Sequence, residues 1–565
     1  MVRKLVVFLF FLPQLVLAQD ISWAHSIGGT SGSERSNDII VDDYGNTYIT
    51  GRFSGVVDFD PGPGIFTLGS GFSFDLFVQK LDVEGNFVWA KSIGGTYWNE
   101  GESIKLDNDG NVYITGRYSG IVDFDPGDDV YTVGTTAAQK IFVLKLDEAG
   151  EFIWVKSIEG VNSNVGYSMS IDGVGNSYIT GYFTGTADFD SGLDVFNLES
   201  PGYSKELFVL KLDVSGNFIW AKAVVSDPNE IVGNSICIDA AGNCYIVGYY
   251  EGTVDFDPGA GIYNLTSNGI YDSFIQKLDE NGDFIWAKSI GGTSLDKAYS
   301  IDIDEAENIY ITGFYEGTVD FDPGATIYNL EPTGGYDVFI EKLDSDGNFI
   351  WARSIGGSGT DFGKSILVDP EGDLFCTGEY SNTVDFDPTD DVDNRISTGV
   401  GDVFIEKFDS DGNFIWVQSF GSEGNDIGEG VTVDGLGNIF LTGTFTDTIS
   451  FAPFVDVDDL ETIGSEDIFI IKLAPYSSIG IENYGNQLVN SPLIYPNPAQ
   501  NSVTLELESL TNVSIKLYAI NGDIVHSSGP INNPYYQFEL NQESGVYIVE
   551  IISDQANYSL KLIKE

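Results

Sequence analysis

The chain has 565 residues, 86 of them acidic against 26 lysines and arginines, for a formal net charge of −60. Nucleic acid and anionic lipid are therefore excluded as expected ligands, because a surface so acidic repels both. Only two histidines occur, His25 and His526, which leaves no material for a zinc site or a histidine-based triad.

Residues 1–18 place Arg3 and Lys4 before an apolar run from Leu5 to Leu17, broken by Pro13-Gln14 and ending in Val16-Leu17-Ala18. This reads as a secretory signal cleaved between Ala18 and Gln19. The run falls well short of the ~20 apolar residues of a spanning helix, and no later stretch reaches that length, so no membrane span is expected.

Beyond the signal, tryptophan marks a period. Trp23, Trp89, Trp154, Trp220, Trp286, Trp351 and Trp416 stand 66, 65, 66, 66, 65 and 65 residues apart, and only Trp98 falls off the grid. A fixed period of this kind signals a repeat architecture. One unit, from Ser103, reads Ser-Ile-Lys-Leu-Asp, Val112-Tyr-Ile-Thr-Gly, Val-Asp-Phe-Asp-Pro-Gly, Ile141-Phe-Val-Leu-Lys-Leu-Asp and Phe152-Ile-Trp. Its four main runs are short and β-branched or aromatic, which predicts strands a to d. Asp-x-x-Gly joins a to b and c to d, and suits a type I turn closed by a left-handed glycine. All thirteen such turns keep the aspartate, and only Glu307 replaces the glycine.

The d strands are apolar on both alternating sets, as in Phe284-Ile285-Trp286-Ala287, so both faces are expected to be covered. A buried tryptophan then contributes a gross ~4 to 6 kcal/mol per repeat, an upper estimate. Four-stranded sheets arrayed about an axis form a β-propeller. The chain holds seven a, seven b and seven c strands, but Ala474-Pro475 follows the last c strand where a turn and a d strand are due. The missing strand stands at the other end, Ile21-Ser-Trp23-Ala-His-Ser-Ile. An all-β, seven-bladed propeller over residues 19–474, closed by the N-terminal strand, is predicted. The phrases Gly-Asn-x-Tyr-Ile-Thr-Gly and Asp-x-Phe-Val-x-Lys-Leu-Asp resemble the bacterial β-propeller repeat family abbreviated SBBP. That resemblance implies a fold and no defined chemistry.

Of the three cysteines, Cys237 should face Tyr245 rather than Cys244 if Asp239 pairs with Asn243, so no disulfide is expected. Cys376 reads as a small buried hydrophobe.

Residues 475–490 turn to Ser, Gly and Asn and read as a linker. Residues 491–565 open with Tyr495-Pro496-Asn497-Pro498, run through alternating strands with an Asn521-Gly522 turn and Gly545-Val-Tyr547, and end at Lys561-Leu-Ile-Lys. The pattern argues for a small C-terminal β-sandwich. It is similar to the type A C-terminal sorting domain of the type IX secretion system of Bacteroidetes. The resemblance implies the type IX secretion machinery as partner and passage across the outer membrane, followed by removal of this domain and surface attachment or release.

Two constellations carry candidate chemistry. Asp58/Asp60, Asp123/Asp125, Asp188/Asp190, Asp255/Asp257, Asp320/Asp322 and Asp385/Asp387 are Asp-x-Asp pairs whose carboxylates share one side of an extended segment. Outside the cell, calcium is the natural cation for them. The preferred alternative is that the second aspartate opens an Asp-Pro-Gly turn while the first bonds nearby amides. Glu34, Asn99, Asn164, Ile231, Asp296, Asp361 and Asp426 stand at one position ahead of each a strand, where they either ring the central opening or cap the d-to-a loops; capping is preferred. Trp98, Phe72, Phe74, Tyr203, Tyr271 and Tyr336 sit in variable loops and suit stacking on sugars. No catalytic set or resident cofactor other than calcium is assigned. The expected function is that of a monomeric, non-enzymatic secreted or surface scaffold for an extracellular protein or glycan. The rival is a polysaccharide hydrolase or lyase that uses paired carboxylates on one propeller face.

Overall fold

The computed structural model describes residues 21–475, apart from 31, 72, 135–137, 227, 390–391 and 452–458, together with the strands between 493 and 564. Ala18, Gln19 and nearly all of the expected linker lie outside the described residues. The chain forms two compact units, divided after Pro475.

In the first unit, each short apolar run pairs antiparallel with its neighbours. Blade 1 is ordered a (Arg35–Val41), b (Thr47–Phe53), c (Asp75–Leu81) and d (Phe87–Gly95). Six further blades repeat this order, and their a strands stand side by side around a central channel of about 270 Å³. Blade 7 takes a, b and c from Ile427–Val433, Ile439–Phe445 and Asp467–Leu473, and its d strand is Ile21–Gly29. Ile21 pairs with Leu473, Ala24 with Ile471 and Ile27 with Ile468, so the N-terminal strand closes the ring as expected.

The Asp-x-x-Gly turns explain their own residues. Asp42 Oδ1 accepts the Tyr44 and Asn46 amides, both at 2.9 Å, and Gly45 sits at φ +82°. Glu307 adopts the same left-handed conformation at φ +59°, a strained one for a side chain with a Cβ. Asn308 holds that turn through Nδ2 to Asp304 Oδ2 at 2.7 Å.

The periodic tryptophans differ from expectation. Only Trp351 and Trp416 are buried, and the others are half-buried. Each indole from Trp23 to Trp351 instead lies on the turn glycine of the next blade: a Cβ built on Gly282 would come within 3.0 Å of Trp220. Trp89 Nε1 also donates to the Glu148 carbonyl of the next blade at 3.2 Å. The residue before the tryptophan faces outward, and Val88, Ile153, Ile219, Ile285 and Ile350 are all more than 40% exposed. The next blade covers only one side of the d strand, so the expectation of two covered faces is corrected and the gross burial figure overcounts.

The Asp-Phe-Asp-Pro-Gly insertion forms a hairpin that ties blades together. In the first repeat, Val56–Asp58 pairs with Thr67–Gly69 and also with the end of the preceding d strand, Gly28 with Asp58 and Gly29 with Val57. The same hairpin stacks Phe66 on Phe87 of its own blade, centroids 4.7 Å apart. Tyr131 on Phe152 and Phe196 on Phe218 repeat the contact.

The second unit has a three-stranded sheet (Leu493–Tyr495, Ser502–Glu506, Tyr535–Glu539) and a four-stranded sheet (Ile524–Ile531, Val513–Ala519, Gly545–Ile552, Asn557–Lys564). Val503, Leu505, Ile515, Leu517, Phe538 and Val549 form its core. Tyr495 ends the first strand, Gly545 and Tyr547 lie on Gly545–Ile552, and Lys561 pairs with Ile548. Pro496, Asn497, Pro498, Asn521 and Gly522 fall outside the described residues.

Candidate functional site: the channel mouth

Every a strand carries a β-bulge. The register slips between Ser36 and Asp38, Gly101 and Ser103, Gly166 and Ser168, and at the matching place in the other four blades. The bulge drives an a-strand carbonyl towards the b strand, which requires glycine there: a Cβ on Gly51 would stand 1.9 Å from the Arg35 carbonyl oxygen. The skipped residues, Asn37, Glu102, Tyr167, Asn234, Tyr299, Lys364 and Glu429, all line the channel. Beside them comes the residue between the invariant glycine and the aromatic of strand b: Arg52, Arg117, Tyr182, Tyr249, Phe314, Glu379 and Thr444. Sequence reasoning missed both positions. The signal was available, since seven repeats that agree on either side disagree there.

Blades 1 and 2 build one half of the mouth as an ionic knot. Glu100, 2% exposed, accepts Arg52 Nη1 at 2.8 Å, Arg117 Nη2 at 2.5 Å, Trp98 Nε1 at 2.9 Å and Asn37 Nδ2 at 3.1 Å. Burial pushes its carboxyl pKa up, but Arg117 and Arg52 outweigh that and hold it below the usual range. Glu102 stands 3.3 Å from Arg117. Burial first, and then the charge of Glu100, raise its pKa to about 8. Arg52 lies over Phe74 at 4.9 Å and over Trp98 at 4.7 Å, and these two rings meet each other at 5.0 Å, so together they form one aromatic seat for its guanidinium.

Blades 3 to 6 build the other half as an aromatic arc. Tyr167 meets Tyr182 at 5.8 Å, Tyr249 meets Tyr271 at 5.0 Å, and Phe314 meets Tyr336 at 4.9 Å and Phe362 at 5.1 Å. Three lysines rest on it: Lys205 over Tyr182, Lys297 over Tyr249 and Tyr271, and Lys364 over Tyr299. The arrangement offers flat apolar faces edged by hydroxyls and ammonium groups, which suits binding better than bond-breaking.

The residues singled out from sequence divide. Phe74, Trp98, Tyr271 and Tyr336 gather at the mouth. Tyr203 is 86% exposed, and Phe72 lies outside the described residues. The position ahead of the a strands caps the d-to-a loops. Asp361, for example, accepts the Gly357 amide at 3.0 Å and the Ser381 amide at 2.9 Å, and burial lifts its pKa to about 7. Where Ile231 breaks that series, Glu206 accepts the Ser226 amide at 2.7 Å instead.

The Asp-x-Asp pairs stay apart from the mouth and from one another, each in its own rim hairpin. In all six, the first aspartate accepts two amides of the hairpin through Oδ1. Asp255 takes those of Asp257 and Tyr263 at 3.2 and 2.7 Å, and Asp58 takes those of Asp60 and Phe66 at 3.1 and 2.8 Å. Asp123, Asp188, Asp320 and Asp385 do the same. The second aspartate closes the turn that follows it. Asp60 Oδ1 accepts the Gly62 amide at 2.9 Å, Asp125 that of Gly127 at 2.8 Å and Asp190 that of Gly192 at 2.8 Å. Asp257 accepts the Gly259 amide at 2.8 Å, Asp322 that of Gly324 at 2.7 Å and Asp387 that of Thr389 at 2.9 Å. Among the described residues, no three histidine, cysteine, aspartate or glutamate side chains gather to hold a metal ion. Each second aspartate thus spends an oxygen on its own backbone, which is the bonding that the turn-forming alternative requires.

Residues 350–383 and 415–444 match the family described as beta-propeller repeat, and residues 493–565 match the family described as secretion system C-terminal sorting domain. The chain carries SBBP propeller repeats and a type IX sorting domain. Such a domain directs the chain to the cell surface or the extracellular space, and among the described residues no helix is long and apolar enough to cross a membrane. An uncharacterized WD repeat-containing protein of Acanthamoeba polyphaga mimivirus is 25% identical over 75% of the chain and 36% of its own length. A regulatory protein, FlaEY, of Caulobacter vibrioides is 24% identical over 29% of the chain and 17% of its own length. The chain thus spans about a third and a sixth of the length of the relatives it matches. A solved structure of a protein of unknown function from Bacteroides caccae shares 10% identity at a TM-score of 0.28, over 59% of this chain and 93% of that one.

Proposed function

We propose that the exported propeller is a non-enzymatic binding scaffold that holds an extracellular glycan or protein at the channel mouth. One observation carries this reading: the two strand positions at which the repeats disagree, the bulge residue of a and the residue after the glycine of b, converge on that mouth and are largely filled with aromatic rings and charged groups. Elsewhere the repeats keep their turns, bulge glycines and hairpins. Surface arrays of extracellular glycans and proteins, probed with the full chain, should give ligands whose retention falls at least tenfold in Trp98→Ala or Tyr271→Ala. Ligands that bind those variants as they bind the parent would move the site elsewhere, and an array without ligands would remove the reading. For the sorting domain, we propose removal at the outer membrane with surface attachment or release. Truncation after Asn490 should then leave the chain in the periplasm of a type IX-competent host.

A second reading, a polysaccharide hydrolase or lyase, draws on Glu100 and Glu102. Adjacent carboxyls whose pKa values are pushed apart resemble a base and acid pair. Release of reducing ends or unsaturated products from a polysaccharide panel, lost in Glu102→Gln, would establish it. A silent panel would count against it.

A further inference from the structure

Most cations of the mouth carry their own carboxylate. Arg35 has Glu466 at 3.0 Å, Arg52 and Arg117 share Glu100, and Lys205 has Glu230 at 3.6 Å. Two do not. Lys297 sits 3.7 Å from the centroid of Tyr249 and 4.4 Å from that of Tyr271, and Lys364 sits 4.9 Å from Tyr299 and 5.3 Å from Phe362. Neither has a carboxylate within 4.0 Å among the described residues. In a chain with 86 acids against 26 bases, this is the reverse of what composition alone would produce. Both lysines are half-buried, on neighbouring blades, and both lie on the aromatic arc. Glu230 acts on Lys297 and Glu379 on Lys364 only from beyond ion-pair distance, so these half-buried ammonium groups are partly compensated, and a ligand anion in direct contact would complete the pairing. Burial, and then the charge of Lys205, already lower the pKa of Lys297, and an arriving anion would raise it.

Resting on the reading that the mouth binds a partner, we infer that its ligand is an acidic saccharide, whose sugar faces lie on the Tyr249, Tyr271, Tyr299 and Tyr336 arc while its carboxylate or sulfate groups meet Lys297 and Lys364. Ring faces edged by hydroxyls complement the C–H faces and hydroxyl edges of a pyranose. The two ammonium groups complement charges carried on successive units. Salt screens the acidity of the chain as a whole beyond ~8 Å at physiological strength, while Glu230, Glu379 and Glu429 near the arc oppose an anion locally, so contact with Lys297 and Lys364 must outweigh them.

The experiment is calorimetric titration of the full secreted chain, at fixed ionic strength, with uronate, sulfated and neutral tetrasaccharides and a glutamate-rich peptide. At least one acidic saccharide should bind tenfold or more tightly than the neutral one, and its arm identifies carboxylate or sulfate as the partner group. The Lys297→Met/Lys364→Met variant should lose at least tenfold for that ligand and nothing for the neutral one, while the double arginine variant should retain binding. Neutral binding equal to acidic overturns the inference and leaves the mouth a binding site. Binding of the peptide alone overturns it in favour of a polypeptide partner, and no binding in any arm removes it together with the glycan form of the proposed function. If the double methionine variant melts lower than the parent, the acidic-to-neutral affinity ratio of the parent and its fall with added salt decide the matter.

Discussion

Gln276 donates its Nε2 to the Phe256 carbonyl at 2.6 Å, and one blade later Glu341 takes the same place in strand c, fully buried, with neither carboxylate oxygen partnered among the described residues. Gln79 and Phe59 repeat the glutamine bond, and Glu406 repeats the unpartnered acid.

Protonation resolves the mismatch, because a neutral carboxyl can donate to the Phe321 or Phe386 carbonyl as the amide does. Burial pushes both carboxyl pKa values well above the ordinary 4.5. The folded state therefore holds these protons more tightly than the unfolded state. Their contribution is complete below the unfolded pKa and is lost as the pH rises towards the folded one. Glu341→Gln and Glu406→Gln should each add about 1 to 3 kcal/mol at pH 8 and almost nothing at pH 4. Melting curves at the two pH values check this; a gain equal at both, or none at pH 8, would refute it.

Deleting residues 19–27 should remove the outer strand of blade 7 and expose an edge of Asp467–Leu473. Since each blade is stabilised through its neighbours, the loss should lower the melting temperature of the whole ring and broaden the transition. An unchanged melt would show that closure contributes nothing.

Trp220→Ala should test the contact between consecutive blades. It removes the bond from Nε1 to the Glu280 carbonyl at 3.1 Å and the indole face beneath Gly282. Because the ring is only half-buried, the cost should be about 2 kcal/mol in urea unfolding, at or below the lower end for a core aromatic.

Asp255→Ala should destabilise by about 1 to 3 kcal/mol through two orphaned amides, whereas Asp255→Asn keeps the acceptor and should be nearly neutral. Calcium and magnesium at equal ionic strength should then shift the parent equally. A rise specific to calcium that Asp255→Asn with Asp257→Asn diminishes would instead make the pair a cation site.

The local rules of this fold were legible because they repeat. Asp-x-x-Gly marks a turn wherever it falls, and the count of c and d strands in the sequence already closes the ring. What sequence did not disclose was contact between repeats. Ile285 reads as core by its alternation, yet it is 44% exposed because the next blade covers the opposite face of its strand. The Asp-Phe-Asp hairpin reads as an insertion within one repeat, yet in several blades its first strand also bonds to the end of the preceding d strand. The mouth was half legible. Trp98 and Tyr271 stood out as loop aromatics, but Lys297 and Arg52 lie inside strands, where charged residues are ordinarily read as solvated faces.

Strand Asp467–Leu473 lies between Ile439–Phe445 and Ile21–Gly29, bonded along its length on both sides, and the chain leaves the propeller from its end. Any tension on the chain beyond Pro475 therefore enters the ring through an interior strand. Pulled along its axis, that strand loads two ladders in shear at once, and no single row of bonds can be peeled open from an edge. A propeller held by its C-terminal tail while gripping something at its mouth would carry mechanical load at the seam where its ends meet, and that seam is where a force measurement should find the last element to yield.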